Sequence, residues 1–379
     1  MTVFTRRPIE PDQRTGLIRW PFATAVLTYL SVRVLTLATV LVADLFTHSG
    51  VIRDLSIWDG SWFLKAVEHG WPSQLPMAHG HVLANPVAFF PLLPLTIRAL
   101  AAATPFSPAV AGLIVSALSG LTAVVAIGRL TEEFAGRQRA ERAALLFAVA
   151  PGSFVFSLIY AEGLVLTFIA LGLVALLRGR WWMAGVLGAL ASAASPVGLA
   201  FAVSCAVVAI VAIYRERAWS ALLAPILAPT GFLAWMLYLW AHTHTLQAWR
   251  LTERGGWQSY PSLAYPWHIV TQFLFNPVSP TLTGHILFWG TVVSVLGVVV
   301  MFREHQPLAV LAYGISAVVM FAVSAPVGLR PRFVMLAFPI IIAAATRWTG
   351  WRYRLVLTAS ALVLALMSFE TLSSYAVFP

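Results

Sequence analysis

Charge is scarce in this chain. Asp, Glu, Lys and Arg together make up 10% of its residues, where a soluble domain carries about 25%. That excludes a sizeable soluble domain. Cys205 is the single cysteine, which excludes an internal disulfide and leaves the redox compartment unreadable. Lysine is nearly absent: Lys65 stands alone against 23 arginines. Aspartate is rare too, and of the four, Asp44, Asp54 and Asp59 fall close together. There is no internal repeat, no low-complexity tract and no linker, so residues 1–379 read as one unit.

What is abundant is apolar sequence, 60% of the chain. A bilayer needs about 20 apolar residues per helical span, and such runs recur throughout. The pattern predicts an all-α polytopic integral membrane protein of about 10–11 transmembrane helices. Spans are expected near 22–45, 108–128, 143–159, 162–177, 184–196, 197–213, 219–240, 285–302, 307–325, 333–346 and 355–375. The first follows a polar arm carrying Arg6, Arg7, Arg14 and Arg19 and reads as an uncleaved helix rather than a signal peptide. With the N-terminus inside, 16 basic residues fall on the cytoplasmic side and seven outside, which sets the orientation. The net charge of +10 then reflects membrane topology, and no nucleic-acid partner is expected. The stretch 184–213 has arginines at both ends and Ser195-Pro196 in the middle. It reads as a short helical hairpin, with one long kinked helix as the rival.

Two long outer segments result, 46–107 and 241–284. Both are rich in Trp, Tyr, Pro and His, as expected of structure at the lipid headgroup level. In the first, residues 59–69 fit an amphipathic helix. Asp59 stands at its start, placed either to cap free backbone N–H groups or to do chemistry between Trp58 and Trp62. Glu162 lies at an outer turn between two apolar helices, where a carboxylate is expensive and often functional; a hydrogen-bonding plug of the helix ends is the alternative. Arg33 is mid-span and equally costly, a structural ion pair or a ligand contact. Lys65 and Glu68 lie on the polar face of the first-loop helix, and Glu253 and Trp257 are candidates to line a cleft from the second outer segment. His79-x-His81 and His242-x-His244 are a candidate metal set, against the plainer reading of interfacial histidines.

The run Trp58-Asp59-Gly60-Ser61-Trp62-Phe63-Leu64, with Ala66 and Gly70, followed by Ala88-Phe89-Phe90-Pro91-Leu92-Leu93-Pro94, resembles the PIG-V family of mannosyltransferases, within the GT-C superfamily of multi-span glycosyltransferases. A second block is similar to that family's at Pro151, Ser153, Phe156, Tyr160, Glu162 and Leu164. A third, weaker one runs Arg330-Pro331-Arg332-Phe333 to Phe338-Pro339. The chain departs from the family at Ser195-Pro196-Val197-Gly198, where relatives tend to carry an arginine before the glycine, and at Gly70-Trp71, where Gly-Tyr is usual.

The resemblance implies transfer of mannose from a polyprenyl-phosphate-mannose donor to a lipid-linked glycan or glycolipid acceptor on the outer face of a bacterial plasma membrane, with membrane lipids as the further partners. It implies Asp59 as general base in a single displacement with inversion. Arg330 and Arg332 are the candidates for the donor phosphate, because an arginine fork matches phosphate oxygens. Trp58, Glu68, Tyr160, Glu162, Arg33, Glu253 and Trp257 are the further candidates for contact with donor or acceptor. Superfamily relatives often use a divalent cation, Mg or Mn, which Asp59 would share. Two alternatives stay open: the same machinery with another polyprenyl-phosphate sugar such as arabinose, or a lipid or glycan transporter, which would normally show internal repeats.

Overall fold

The computed structural model describes residues 22–275 and 282–373. Arg6, Arg7, Arg14 and Arg19, and the last residues of the predicted span 355–375, lie outside them. The described chain is a bundle of α-helices with two short antiparallel ribbons. Among the described residues six helices are long and apolar enough to cross a membrane: Ala23–Phe46, Pro108–Ala135, Gly198–Glu216, Trp219–Thr243, Leu282–Arg303 and Gly350–Leu372.

The other predicted spans are short or broken. Glu162–Leu177, Trp181–Ala194 and Leu308–Ala322 have 16, 14 and 15 residues, or about 21–24 Å of helix against a hydrocarbon core of about 30 Å. The predicted span 143–159 is two pieces, helix Arg137–Ala148 and 3₁₀ segment Pro151–Ser157, bent by 67°. Pro151 causes the break, since it disfavours a helical residue before it and cannot extend the ladder. The predicted span 333–346 is likewise split, into Pro331–Leu336 and Pro339–Arg347, at a second proline.

Small residues let these helices approach closely, as membrane interfaces require. A Cβ on Gly163 would lie 2.3 Å from Ser119 Oγ, and one on Gly120 would lie 2.6 Å from Phe156 Cγ. The stretch 184–213 is a hairpin. Gly198 lies on Ala191 and Ser192 at the turn, while Leu223 and Leu227, which follow the second helix, pack on Gly185 near the start of the first. The chain therefore returns along its own path, and Arg180 and Arg215 share one end of the bundle.

That end is arginine-rich. Arg129 and Arg137 lie over the Phe22 ring, Arg178 pairs with Glu133, and Arg347 pairs with Glu304 at 3.5 Å. The opposite end carries the two long loop segments. The first is built from helices Val51–Asp54, Asp59–His69 and Leu92–Ala103, with a ribbon pairing Met77–Ala78 to His81–Val82. The second contributes helices Ala248–Gly256 and Tyr265–Phe275. Its Tyr260–Pro261 pairs antiparallel with Ser324–Ala325, which ties it to the loop that leads into Arg330.

Candidate active site

The predicted first-loop helix is present as Asp59–His69, burying Gly60, Phe63, Ala66 and Val67. Its apolar face rests on Phe89, Leu93 and Ile97 of the following segment and on Ile159. A Cβ on Gly60 would lie 3.3 Å from that of Ile159, so the helix start sits directly on the residues that lead to Tyr160 and Glu162. The far end is clamped by Arg98, whose guanidinium donates to the carbonyls of Ala66 and Val67 at 2.7–3.2 Å. A cation there also suits the negative end of the helix.

Asp59 does not cap this helix. The residue before it, Trp58, has φ 57° and ψ −127°, and no side chain makes a capping bond. This backbone conformation is costly for a residue with a Cβ, and such strain collects at functional sites. It directs the Asp59 carboxylate into the bundle, where Oδ2 accepts from Arg332 Nη1 at 2.7 Å. The other two aspartates of the region are occupied by local turns: Asp44 accepts from Gly50 N and Asp54 from Ser49 Oγ.

Arg332 is the centre of the constellation. Its Nε lies 2.8 Å from Glu162 Oε1, a close ion pair in which the N–H is not aimed at the oxygen. The guanidinium also lies 4.9 Å from the centre of the Tyr160 ring and 4.5 Å from that of Phe333. Its side chain is 13% exposed, against 27% for Asp59 and 9% for Glu162. Tyr160 is held from behind by Ser116, whose Oγ accepts from its N–H at 3.0 Å and donates to its carbonyl at 3.1 Å. Arg332 is brought into place by Gly152, where an added Cβ would stand 2.5 Å from the Pro331 carbonyl oxygen and 2.8 Å from Arg332 Cα.

Two further charged groups act on this core. Arg330 is largely buried, and burial together with the neighbouring Arg332 lowers its affinity for its proton, while Tyr265 and Asp59 oppose this. Glu253, on the Ala248–Gly256 helix, is pushed up to about 7, first by burial and then by the charge of Asp59, with the neighbouring Ser259 and Trp249 opposing the shift. Trp257 packs edge to face on Trp62 and Phe89, with centroids 5.4 and 5.7 Å apart. It joins the second outer segment to the first.

The structure thus brings together Asp59, Tyr160, Glu162 and Arg332, with Arg330 and Glu253 in electrostatic reach. It places Glu68 and Arg33 elsewhere. Glu68 is exposed beside His69 at 3.9 Å and lines a cleft of about 500 Å³ with Arg53, Trp58, Ser61 and Lys65, away from Arg332. Arg33 pairs with neither Asp44 nor Glu162. It donates to the carbonyl of Ser153 and lies over the Tyr29 and Phe156 rings, so it supports the broken segment behind the site. Arg98 and Gly152 are the positioning residues that sequence reasoning passed over. The cue for Arg98 was a lone arginine in an otherwise apolar stretch, and for Gly152 a glycine between Pro151 and Ser153.

A divalent cation does not fit the residues as they stand. Among the described residues no three His, Cys, Asp or Glu side chains converge on a point where an ion would be held. The position between the Asp59 and Glu162 carboxylates is taken by the Arg332 guanidinium. The two histidine pairs do not assemble: His242 Nε2 bonds the Trp71 carbonyl at 2.9 Å, and His79 and His81 belong to an exposed ribbon.

The fold is similar to that of ArnT from Cupriavidus metallidurans. Its crystal structure bound to undecaprenyl phosphate is 16% identical, with a TM-score of 0.56, over 91% of this chain and 64% of that one. The apo structure of ArnT matches at 16% identity and a TM-score of 0.51, over 83% and 59%. The chain therefore spans somewhat less than two thirds of the length of ArnT. A weaker likeness, with a TM-score of 0.47 and 14% identity over 95% of this chain and 54% of that one, is to the oligosaccharyltransferase of Archaeoglobus fulgidus in complex with Zn and sulfate. No curated protein matches the sequence. The architecture is that of a multi-pass GT-C membrane protein. Residues 29–224, more than half of the chain, match the sequence model of the mannosyltransferase (PIG-V) family, and the chain belongs to that family.

Proposed function

We propose that this glycosyltransferase moves mannose from a polyprenyl-phosphate-mannose donor to a lipid-anchored glycan or glycolipid acceptor at the outer face of a bacterial plasma membrane. One observation carries the reading: the rare first-loop carboxylate, Asp59, is held by the buried Arg332, which Glu162 and the Tyr160 ring flank. The undecaprenyl phosphate in the ArnT structure supports a polyprenyl-phosphate carrier. The arginine-rich end of the bundle supports an outward site, since basic residues collect on the cytoplasmic side.

The chemistry follows from the residues. The acceptor hydroxyl attacks the anomeric carbon of the donor as its proton passes to Asp59. The bond from that carbon to the phosphate oxygen breaks on the opposite face, and the configuration inverts. Arg332 holds the Asp59 carboxylate in position, with Glu162 fixing Arg332 from the other side. Arg330 meets the negative charge that grows on the departing polyprenyl phosphate; a cation placed where charge develops lowers the barrier rather than merely tightening binding. Arg332, engaged by two carboxylates, is the less suitable phosphate ligand of the pair.

Asp59→Asn tests the assignment, because it keeps the shape and removes the basicity. Sugar transfer from synthetic polyprenyl-phosphate mannose should fall by about 100-fold or more, while the protein still inserts and folds. Near-normal transfer by the folded Asn variant refutes it.

A further inference from the structure

The Asp59–His69 helix has two occupied faces. Asp59, Gly60, Phe63, Ala66 and Val67 turn toward the bundle. At about 100° per residue, Ser61, Lys65 and Glu68 stand roughly 120–180° round the helix from Asp59. They line a cleft of about 500 Å³ with Arg53, Trp58 and Leu64, a size that suits a small headgroup. Whatever fills it lies across the helix from the Asp59 carboxylate and Arg332, so it is not the group that reacts there.

The cleft gathers positive charge. Lys65 is the only lysine of the chain, and its Nζ lies 3.7 Å from the centre of the Trp62 ring. Among the described residues no carboxylate forms an ion pair with Lys65 or Arg53. The neighbouring acid, Asp54, accepts from Ser49 Oγ. Glu68 is the one carboxylate lining the cleft, against two cations. An arginine fork and an ammonium both suit phosphate oxygens. Ser61 Oγ donates to the Trp58 carbonyl at 2.8 Å, so its oxygen can still accept from a headgroup hydroxyl.

The surroundings suit a lipid. Arg53 lies on the short helix Val51–Asp54, directly after the first apolar span, Ala23–Phe46. That span exposes Leu41, Leu45 and Phe46 at its loop end, and Ile52 is exposed next to Arg53. An acyl chain lying along this surface puts its phosphate at the level of the cleft.

We propose that the cleft is a binding site for the phosphate headgroup of an anionic phospholipid of the surrounding bilayer, held by Arg53 and Lys65. Its occupant bears on the active site through Trp58. That residue lines the cleft with its side chain and carries the strained backbone, φ 57° and ψ −127°, that aims Asp59 into the bundle. A ligand that packs on Trp58 in this conformation favours it over relaxed alternatives. The bound lipid therefore steadies the turn that presents Asp59, without touching the reacting atoms.

The test reads lipid binding and needs no sugar transfer, so it stands or falls separately from the role of Asp59 as base. Native mass spectrometry of the full-length protein in a neutral detergent would follow titration with phosphatidylglycerol, phosphatidylcholine, undecaprenyl phosphate and inorganic phosphate. Phosphatidylglycerol should bind tightest. Arg53→Gln and Lys65→Gln should each weaken it by about 5-fold, while Arg53→Lys should keep most of the affinity. Arg139→Gln, an exposed change at the arginine-rich end, should leave it unaltered. At a lipid concentration about ten times Kd, hydrogen exchange of the 57–62 amides should slow by about 10-fold in the wild type and not in the Arg53→Gln, Lys65→Gln double variant. Equal binding by the double variant, or equal binding of phosphatidylcholine, overturns the site. Tighter binding of undecaprenyl phosphate makes the cleft a place for the sugar carrier instead, and equal binding of inorganic phosphate makes it a site for the free anion; either overturns the bilayer lipid. Unchanged exchange at 57–62 with lipid bound overturns the link to Trp58.

Discussion

Removing the Arg332 guanidinium should separate the stability of this site from its catalysis. In Arg332→Gln both carboxylates lose their cation. Breaking a buried pair from one side costs about 3–5 kcal/mol, and the geometry decides where that cost falls. Asp59, with 27% of its side chain exposed, can turn toward water. Glu162, with 9% exposed at the start of an apolar helix, cannot, so most of the penalty belongs to Glu162. Two consequences follow. Lowering the pH should relieve the loss, because a protonated Glu162 no longer needs a cation. The double variant Arg332→Gln, Glu162→Gln should recover most of the stability, since two neutral amides can bond each other, yet remain inactive because Asp59 is no longer held. Thermal unfolding in detergent followed by tryptophan fluorescence, at pH 6 and pH 8, reads the first quantity, and mannose transfer reads the second. An Arg332→Gln protein as stable as wild type at pH 8, or a double variant no more stable than the single one, would refute the reasoning.

Gly152→Ala places a methyl group 2.5 Å from the Pro331 carbonyl oxygen; overpacking of this kind costs about 1–3 kcal/mol, and by displacing Arg332 it should reduce transfer by about 10-fold or more, measured as kcat on purified protein. In a Cys205→Ser background, single cysteines at 79 and 137 test the orientation: a membrane-impermeant thiol reagent applied to intact cells should label 79 and spare 137, and the reverse pattern would turn the site to the cytoplasm.

Much of this arrangement is readable from the chain itself. Scarce charge and recurrent apolar runs give a polytopic helical protein, and helical spacing gives the amphipathic helix at 59–69. Hydropathy cannot see where a span breaks, because Pro151 and Pro339 interrupt runs that stay apolar on both sides. Those breaks make the site. The bend after Ala148 turns residues 151–161 across the bundle, so that Ile159 supports the Asp59 helix and Tyr160 and Glu162 face Arg332. Nor does local pattern say which member of Arg330-Pro331-Arg332 binds the carboxylates, since the partner of Arg332 lies 273 residues away. Packing decides it: with only a glycine at 152, the Pro331 carbonyl closes on the 3₁₀ segment, and the helix that begins at Pro331 turns Arg332 inward over Tyr160. Arg330, still on the extended residue before that helix, stays largely buried and within electrostatic reach of Asp59 and Arg332 without joining their ion pair.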